Sequence, residues 1–212
     1  MATLTLPRTS LGFIDRFLVA ATSSDIPTTI LFNKADLLDE EAIGYLDEIR
    51  EIYERLGYPT MLISALEDPR QEELWERLRG RKSLLAGHSG VGKSTLVNAL
   101  VPGIGQRTAA VSEFANKGVH TTTFAEMFEI APDTYLIDTP GIKELGIIGL
   151  ETNQLGFYFP EIKALSNTCK YYNCSHVHEP GCKVVEAVEA GDIAPSRYNS
   201  YLSMLENDDN RR

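Results

Sequence analysis

The chain has 212 residues, 43% of them hydrophobic, and a formal net charge of -10 at pH 7. That length suits one medium domain and a small one, and that apolar share builds a core of ordinary size. Residues 1–80 hold 8 basic against 15 acidic side chains and no part of the chain is basic overall, which excludes a general nucleic-acid binder and leaves any RNA contact to local Lys and Arg. No apolar run reaches the length of a membrane span and no charged-plus-apolar leader opens the chain, so a cytoplasmic protein without a membrane span is expected.

In chain order, residues 11–18 read as a helix that begins almost at once, an abrupt opening that suits a truncated chain. Residues 28–32 form a short β-rich apolar run ending at Asn33-Lys34-Ala35-Asp36, a buried strand with a loop at its carboxyl end. Apolar residues then recur at helical spacing over 39–56 (Ile43, Leu46, Ile49, Ile52, Tyr53, Leu56) and Gly57 ends the helix. A strand over 60–63 leads to Ser64-Ala65-Leu66, a helix spans 69–78, and a strand over 84–86 runs into Gly87. A helix begins near Lys93, residues 103–120 lack periodicity and read as a loop, and strands over 124–130 and 134–137 flank a turn at Pro132-Asp133. Strands alternating with helices imply an α/β fold with a mostly parallel sheet and a ligand at the strand carboxyl ends. From about Thr152 the pattern breaks into short helical pieces, so the expected division is 1–151 for the α/β domain and 152–212 for a small, mostly helical one.

Gly87-His88-Ser89-Gly90-Val91-Gly92-Lys93-Ser94 fits G-x-x-x-x-G-K-S, between a strand and a helix, which is the context a phosphate-binding loop requires. Its glycines let the backbone curl so that N–H groups face phosphates, and the helix N-terminus, with Thr95 in its first turn, adds partial positive charge. Lys93 is expected to reach the β- and γ-phosphates and the Ser94 hydroxyl to ligate Mg²⁺. Asp138-Thr139-Pro140-Gly141 closes a strand, placing a carboxylate near Mg²⁺ and the Gly141 N–H near the γ-phosphate. In Asn33-Lys34-Ala35-Asp36 the Asp36 carboxylate can accept from both guanine N1–H and the exocyclic amine; adenine lacks that donor pair and would leave a buried carboxylate unpaired, which disfavours an ATP-using enzyme. Asn33 can tie this loop to the phosphate loop and approach N7, the Lys34 stem can cover the base face, and the segment from Ser64 can offer a backbone N–H, from Ala65, to O6. A bare helix cap is the alternative for Asp36, and it loses once the phosphate loop is present. GTP or GDP with Mg²⁺ are therefore the expected ligands.

Three cysteines, Cys169, Cys174 and Cys182, lie within 14 residues. An odd number so tightly clustered argues against disulfides and for a closed structural Zn²⁺ site, with His176 or His178 as the fourth ligand.

The base-reading motifs precede the phosphate loop, the reverse of the usual order. The chain resembles circularly permuted GTPases, and specifically the ribosome-small-subunit-dependent GTPase family RsgA, also called YjeQ. The likeness rests on Ile14-Asp15-Arg16-Phe17-Leu18, the base motifs, the phosphate loop, Gly118-Val119-His120-Thr121-Thr122-Thr123, residues 138–141 and the cysteine cluster. The resemblance implies His176 as the zinc ligand, the small ribosomal subunit and its rRNA as partner, and a monomer. Members usually carry an N-terminal OB-fold domain that helps bind ribosomal RNA; its absence from these residues reads as truncation or divergence. Val119 stands where the family usually has Arg. The water-orienting Gln of many GTPases is replaced by Ile142, so His120 is the candidate to position the attacking water, with an exposed or RNA-binding loop residue as its other reading. Thr122 is the expected second Mg²⁺ ligand and Thr121 the runner-up. The expected function is slow GTP hydrolysis, stimulated by the small subunit during its late maturation; the alternative is a GTP-dependent docking module that does not hydrolyse.

Overall fold

A computed structural model describes residues 1–69, 71–101, 125–139 and 151–209. The expected loop over 103–120 lies wholly outside them, as do His120, Thr121, Thr122 and Gly141. The chain forms two compact units, each drawn from separate stretches of sequence.

The first unit comprises Met1–Thr9, Ile30–Asp47 and Thr60–Glu144. Strand β1 (Ile30–Asn33) pairs in parallel with β2 (Thr60–Ile63), Asn33 opposite Ile63. Every residue of β1 is buried, which is why it reads as a continuous apolar run rather than an alternation. Ala2 lies parallel to Phe32 and exchanges backbone hydrogen bonds of 2.8 Å with Leu31 and Asn33. Strand β3 (Lys82–Leu85) pairs in parallel with β5 (Thr134–Asp138), Leu85 opposite Asp138, and β4 (Glu126–Ala131) runs antiparallel on the other edge of β5. In β4, buried Phe128 and Ile130 alternate with exposed Met127 and Glu129, the period-2 pattern of a half-buried strand. Helices α2 (Glu40–Arg55), α3 (Glu72–Leu78) and α4 (Lys93–Leu100) follow β1, β2 and β3 respectively. Leu96, Val97 and Leu100 of α4 join Ile63, Leu74, Leu85 and Leu136 in one apolar core.

The second unit comprises Ser10–Thr29, Glu48–Pro59 and Leu145–Arg212. Helix α1 (Leu11–Ser23) is capped by Ser10, whose hydroxyl accepts the Phe13 N–H at 3.2 Å. A 3₁₀ helix (Thr152–Tyr158) and helices α5 (Pro160–Ser166), α6 (Lys183–Ala190) and α7 (Pro195–Asp209) complete it. Its core joins Val19 of α1 to Phe159, Ile162, Val184 and Tyr201. The described nucleotide motifs fall in the first unit and the cysteines in the second, together with α1 and the end of α2, which come earlier in sequence. Helix α7 is 15 residues long where only short helical pieces were expected. Its inward stripe carries Arg197, 1% exposed, and that charge interrupted the apolar period.

Arg197 is held by a buried network. It donates to Asp15 Oδ1 at 2.5 Å and through Nε to Glu161 Oε1 at 2.7 Å, while the Tyr53 hydroxyl donates to the same Asp15 oxygen at 2.8 Å. The guanidinium lies 4.7 Å from the centre of the Phe159 ring. Buried against two carboxylates, Arg197 is not among the Lys and Arg side chains free to meet RNA. No helix among the described residues is long and apolar enough to cross a membrane.

Candidate nucleotide site and metal centre

The phosphate loop leaves β3 and turns through Gly90 and Gly92, both at positive φ, into α4. At Gly92 (φ +97°) a side chain would be strained, and its Cβ would lie 2.2 Å from Asn33 Nδ2, so only glycine fits. The Lys93 ammonium donates to the carbonyls of Gly87 and His88, each at 2.7 Å, curling back over the loop. Burial lowers the Lys93 pKa and the nearby Asp138 carboxylate opposes that shift. Burial in turn raises the Asp138 pKa against the pull of Lys93. Asp138 Oδ1 is buried with no hydrogen-bond partner among the described residues. A lone carboxylate oxygen beside a lysine and a glycine loop fits a divalent cation carried in with phosphates. Ser94 and Thr95 are exposed in the first turn of α4, and Thr139 donates to the Leu85 carbonyl at 3.0 Å, fixing the end of β5 against β3.

The base loop is tied to the phosphate loop by one side chain. Asn33 donates from Nδ2 to the Val91 carbonyl at 2.8 Å, and its Oδ1 accepts the Ala65 N–H at 2.8 Å. The Ser64 hydroxyl donates to Asp36 Oδ1 at 2.5 Å and accepts the Glu67 N–H at 3.1 Å. Residues from three separate stretches of sequence thus meet around Asn33. The Ala65 N–H, expected to meet guanine O6, is given to Asn33 here, because the buried Asn33 carbonyl needs a donor. Lys34, in the left-handed region at φ +71°, donates to the Leu6 carbonyl.

The second unit gathers Cys169, Cys174, His176 and Cys182 with their donor atoms all within 4.8 Å of one another. His176 Nδ1 lies 3.6 Å from Cys169 Sγ and 3.5 Å from Cys182 Sγ, while Nε2 is 3.3 Å from the Ser166 hydroxyl. His178 is exposed and outside the cluster. Burial, with the neighbouring thiols, pushes the Cys174 thiol up to about 12 although the His176 N–H hydrogen-bonds to it. Three sulfurs and one imidazole nitrogen at this separation fit a tetrahedral Zn²⁺, whose charge would reverse that shift and hold the thiols as thiolates. His176 has φ +59°, a conformation that costs a non-glycine residue roughly 1–3 kcal/mol. The turn is braced from both sides. Glu179 accepts from Ser175 N and Oγ at 2.7 and 2.6 Å and from the Val177 and His178 N–H groups at 3.2 Å. Tyr198 and Tyr201 of α7 donate to the His176 and Ser175 carbonyls, each at 2.7 Å. Burial works to raise the Glu179 pKa, but these donors outweigh it and hold the carboxyl well below the usual range.

The model of the RsgA GTPase family matches residues 1–148. The chain belongs to that family. It is 53% identical over 206 residues to the small ribosomal subunit biogenesis GTPase RsgA of Bacteroides fragilis, covering 97% of this chain and 66% of that protein. To the protein of the same name from Flavobacterium johnsoniae it is 44% identical over 209 residues, covering 99% of this chain and 64% of the relative. The chain thus spans just under two thirds of the length of these relatives. Among solved structures it matches YjeQ from Thermotoga maritima with a TM-score of 0.80 and 40% identity, over 97% of this chain and 68% of that one. It matches YloQ, described as a circularly permuted GTPase, with the same TM-score and 29% identity, over 99% of this chain and 67% of that one. The family membership accords with the base-reading strands β1 and β2 preceding the phosphate-loop strand β3.

Two side-chain groupings of this family member are not legible in the sequence pattern. The Asp15–Arg197–Glu161 network carried one signal, a charge at an inward position of each helix pattern. The Glu179 clasp carried none, because its partners are mostly backbone N–H groups.

Proposed function

We propose that this chain binds GTP with Mg²⁺, hydrolyses it slowly, and acts in late maturation of the small ribosomal subunit. The observation that carries the nucleotide part is the Asn33 clasp, which joins the base loop, the phosphate loop and the Ala65 segment in one place. Family membership and the names of the relatives support the ribosomal part. In this reading Asp36 accepts from the guanine edge, Asn33 approaches N7 and the Lys34 stem covers the base. The O6 contact falls to the Ala65 N–H, shared with Asn33. The N–H groups from Gly87 to Thr95, with Lys93, cradle the phosphates. Ser94, Asp138 and Thr122 hold Mg²⁺, which neutralises charge on the β- and γ-phosphate oxygens. Gly141 meets the γ-phosphate. Cys169, Cys174, His176 and Cys182 hold a structural Zn²⁺, which contributes on the order of 10 kcal/mol to folding that unit.

Ile142 cannot hydrogen-bond to water, so hydrolysis needs another group, and His120 beside Thr122 fills that role. Single-turnover hydrolysis, with protein saturated by GTP and purified small subunits, tests this reading. Wild type is expected to be slow alone and faster with subunits, and His120→Ala is expected to lose most of the stimulation. Equal stimulated rates would remove His120 from the mechanism. Absence of phosphate release despite subunit binding would favour a docking module that does not hydrolyse.

A further inference from the structure

The metal cluster contains a choice that its four donors do not explain by themselves. His176 and His178 lie two residues apart in one turn, yet His176 is buried in the cluster and His178 is exposed. A single carboxylate organises that turn. Glu179 Oε1 accepts both donors of Ser175, and Oε2 accepts the N–H groups of Val177 and His178. These contacts tie the backbone on either side of His176. The His176 N–H is turned the other way, toward the Cys174 sulfur. Its φ of +59° swings the ring into the three thiols, where Nδ1 lies 3.5–3.6 Å from two of them. With the Val177 and His178 N–H groups held by Glu179, His178 faces away. Tyr198 and Tyr201 hydrogen-bond the same turn through the His176 and Ser175 carbonyls, and the Tyr201 ring and the Ser166 hydroxyl lie against the His176 ring, but none of them holds the Val177 and His178 N–H groups, which Glu179 takes.

We propose that Glu179 is the positioning residue that presents His176, and not His178, to the metal. The inference rests on the zinc reading above. It makes Glu179 an anion that never touches the ion but decides which imidazole does, as outer partners of metal ligands fix ring orientation.

The test uses the full chain. Zinc per chain is measured by elemental analysis, and the rate of zinc release to a chromophoric chelator is followed for wild type, Glu179→Ala, Glu179→Gln, His176→Ala and His178→Ala. His178→Ala is also combined with each Glu179 variant. Wild type is expected to hold one zinc, to lose it on His176→Ala and to be unaffected by His178→Ala. The Glu179 variants are expected to release zinc at least about tenfold faster, the usual scale for losing an outer partner of a ligand. In those backgrounds alone, His178→Ala should speed release further, because the freed turn lets His178 stand in. Glu179→Gln keeps the volume and one acceptor, so it serves if Glu179→Ala does not fold. Release at the wild-type rate in a folded Glu179 variant would overturn the proposal. So would faster release indifferent to His178, which would reduce Glu179 to a brace of the fold. Wild type without zinc would instead overturn the zinc reading itself, and this inference with it.

Discussion

At the scale of single residues, two positions make the sharpest demands. Asp36 is held at Oδ1 by the Ser64 hydroxyl, so its carboxylate is oriented before any base arrives. Asp36→Asn replaces an acceptor with an amide whose N–H₂ faces the guanine donors. GTP affinity should fall by about 1.5–3 kcal/mol, the value of a hydrogen bond to a charged group. Xanthine, with an acceptor at C2, should gain in exchange. A competition assay between GTP and XTP reads both, and an unchanged preference for GTP would refute the assignment of Asp36. At Gly92 the constraint is spatial. Gly92→Ala adds a Cβ where Asn33 Nδ2 sits, in a backbone conformation that disfavours any side chain. Asn33 must then give up Val91, which separates base loop from phosphate loop. GTP binding should weaken by at least about tenfold, since strain of this kind costs roughly 1–3 kcal/mol. Titration with a fluorescent GTP analogue measures it, and wild-type affinity would show that the clasp is dispensable.

At the scale of elements, α1, α5 and α7 are joined within the second unit by Arg197. The side chains of Asp15 and Arg197 are 0% and 2% exposed. A buried pair of this kind adds little over a well-packed apolar substitute, but removing one partner strands the others. Arg197→Ala leaves the carboxylates of Asp15 and Glu161 facing each other without their cation, and also removes the plane over Phe159. The expected cost is about 3–5 kcal/mol of stability in the second unit, the scale for breaking a buried ion pair from one side. Urea unfolding followed by hydrogen exchange of α7 checks this. A loss under about 1 kcal/mol would mean that water or protonation relieves the pair.

At the scale of the whole molecule, the two units are stabilised by different means. The first is built on two parallel strand pairs with one antiparallel edge strand, over a core mostly of Ile, Leu, Val and Phe. The second is helical, with a non-helical stretch between α5 and α6 that carries its donor cluster, and Cys169 and Cys174 pack at the edge of its core. Zinc removal should therefore act locally. A strong chelator is expected to unfold the cysteine-bearing turn and loosen α6 and α7, while GTP binding persists. Circular dichroism and nucleotide titration on the same chelated sample give both readings. Full retention of structure over residues 160–209 after metal removal would contradict a structural role for the ion, and simultaneous loss of GTP binding would show the effect is not local.

Much of this was determined by the sequence alone. The phosphate loop, the base-reading Asn33–Asp36 segment and the Cys3His set are short, local patterns, each set by glycine conformations or ligand spacing that the chain carries within a dozen or so residues. The order of β1 to β5 follows from apolar runs and the residues that break them, and β2 fell where expected because its run is bounded on both sides. What the tertiary structure decided is whatever depends on partners far apart in sequence. Asn33 meets Val91 58 residues on, and Arg197 meets Asp15 182 residues back. No periodicity reports such a pairing, because burial of a polar side chain is decided by the groups that arrive to satisfy it. The same reason took the Ala65 N–H for Asn33, buried Arg197, and hid the Glu179 clasp.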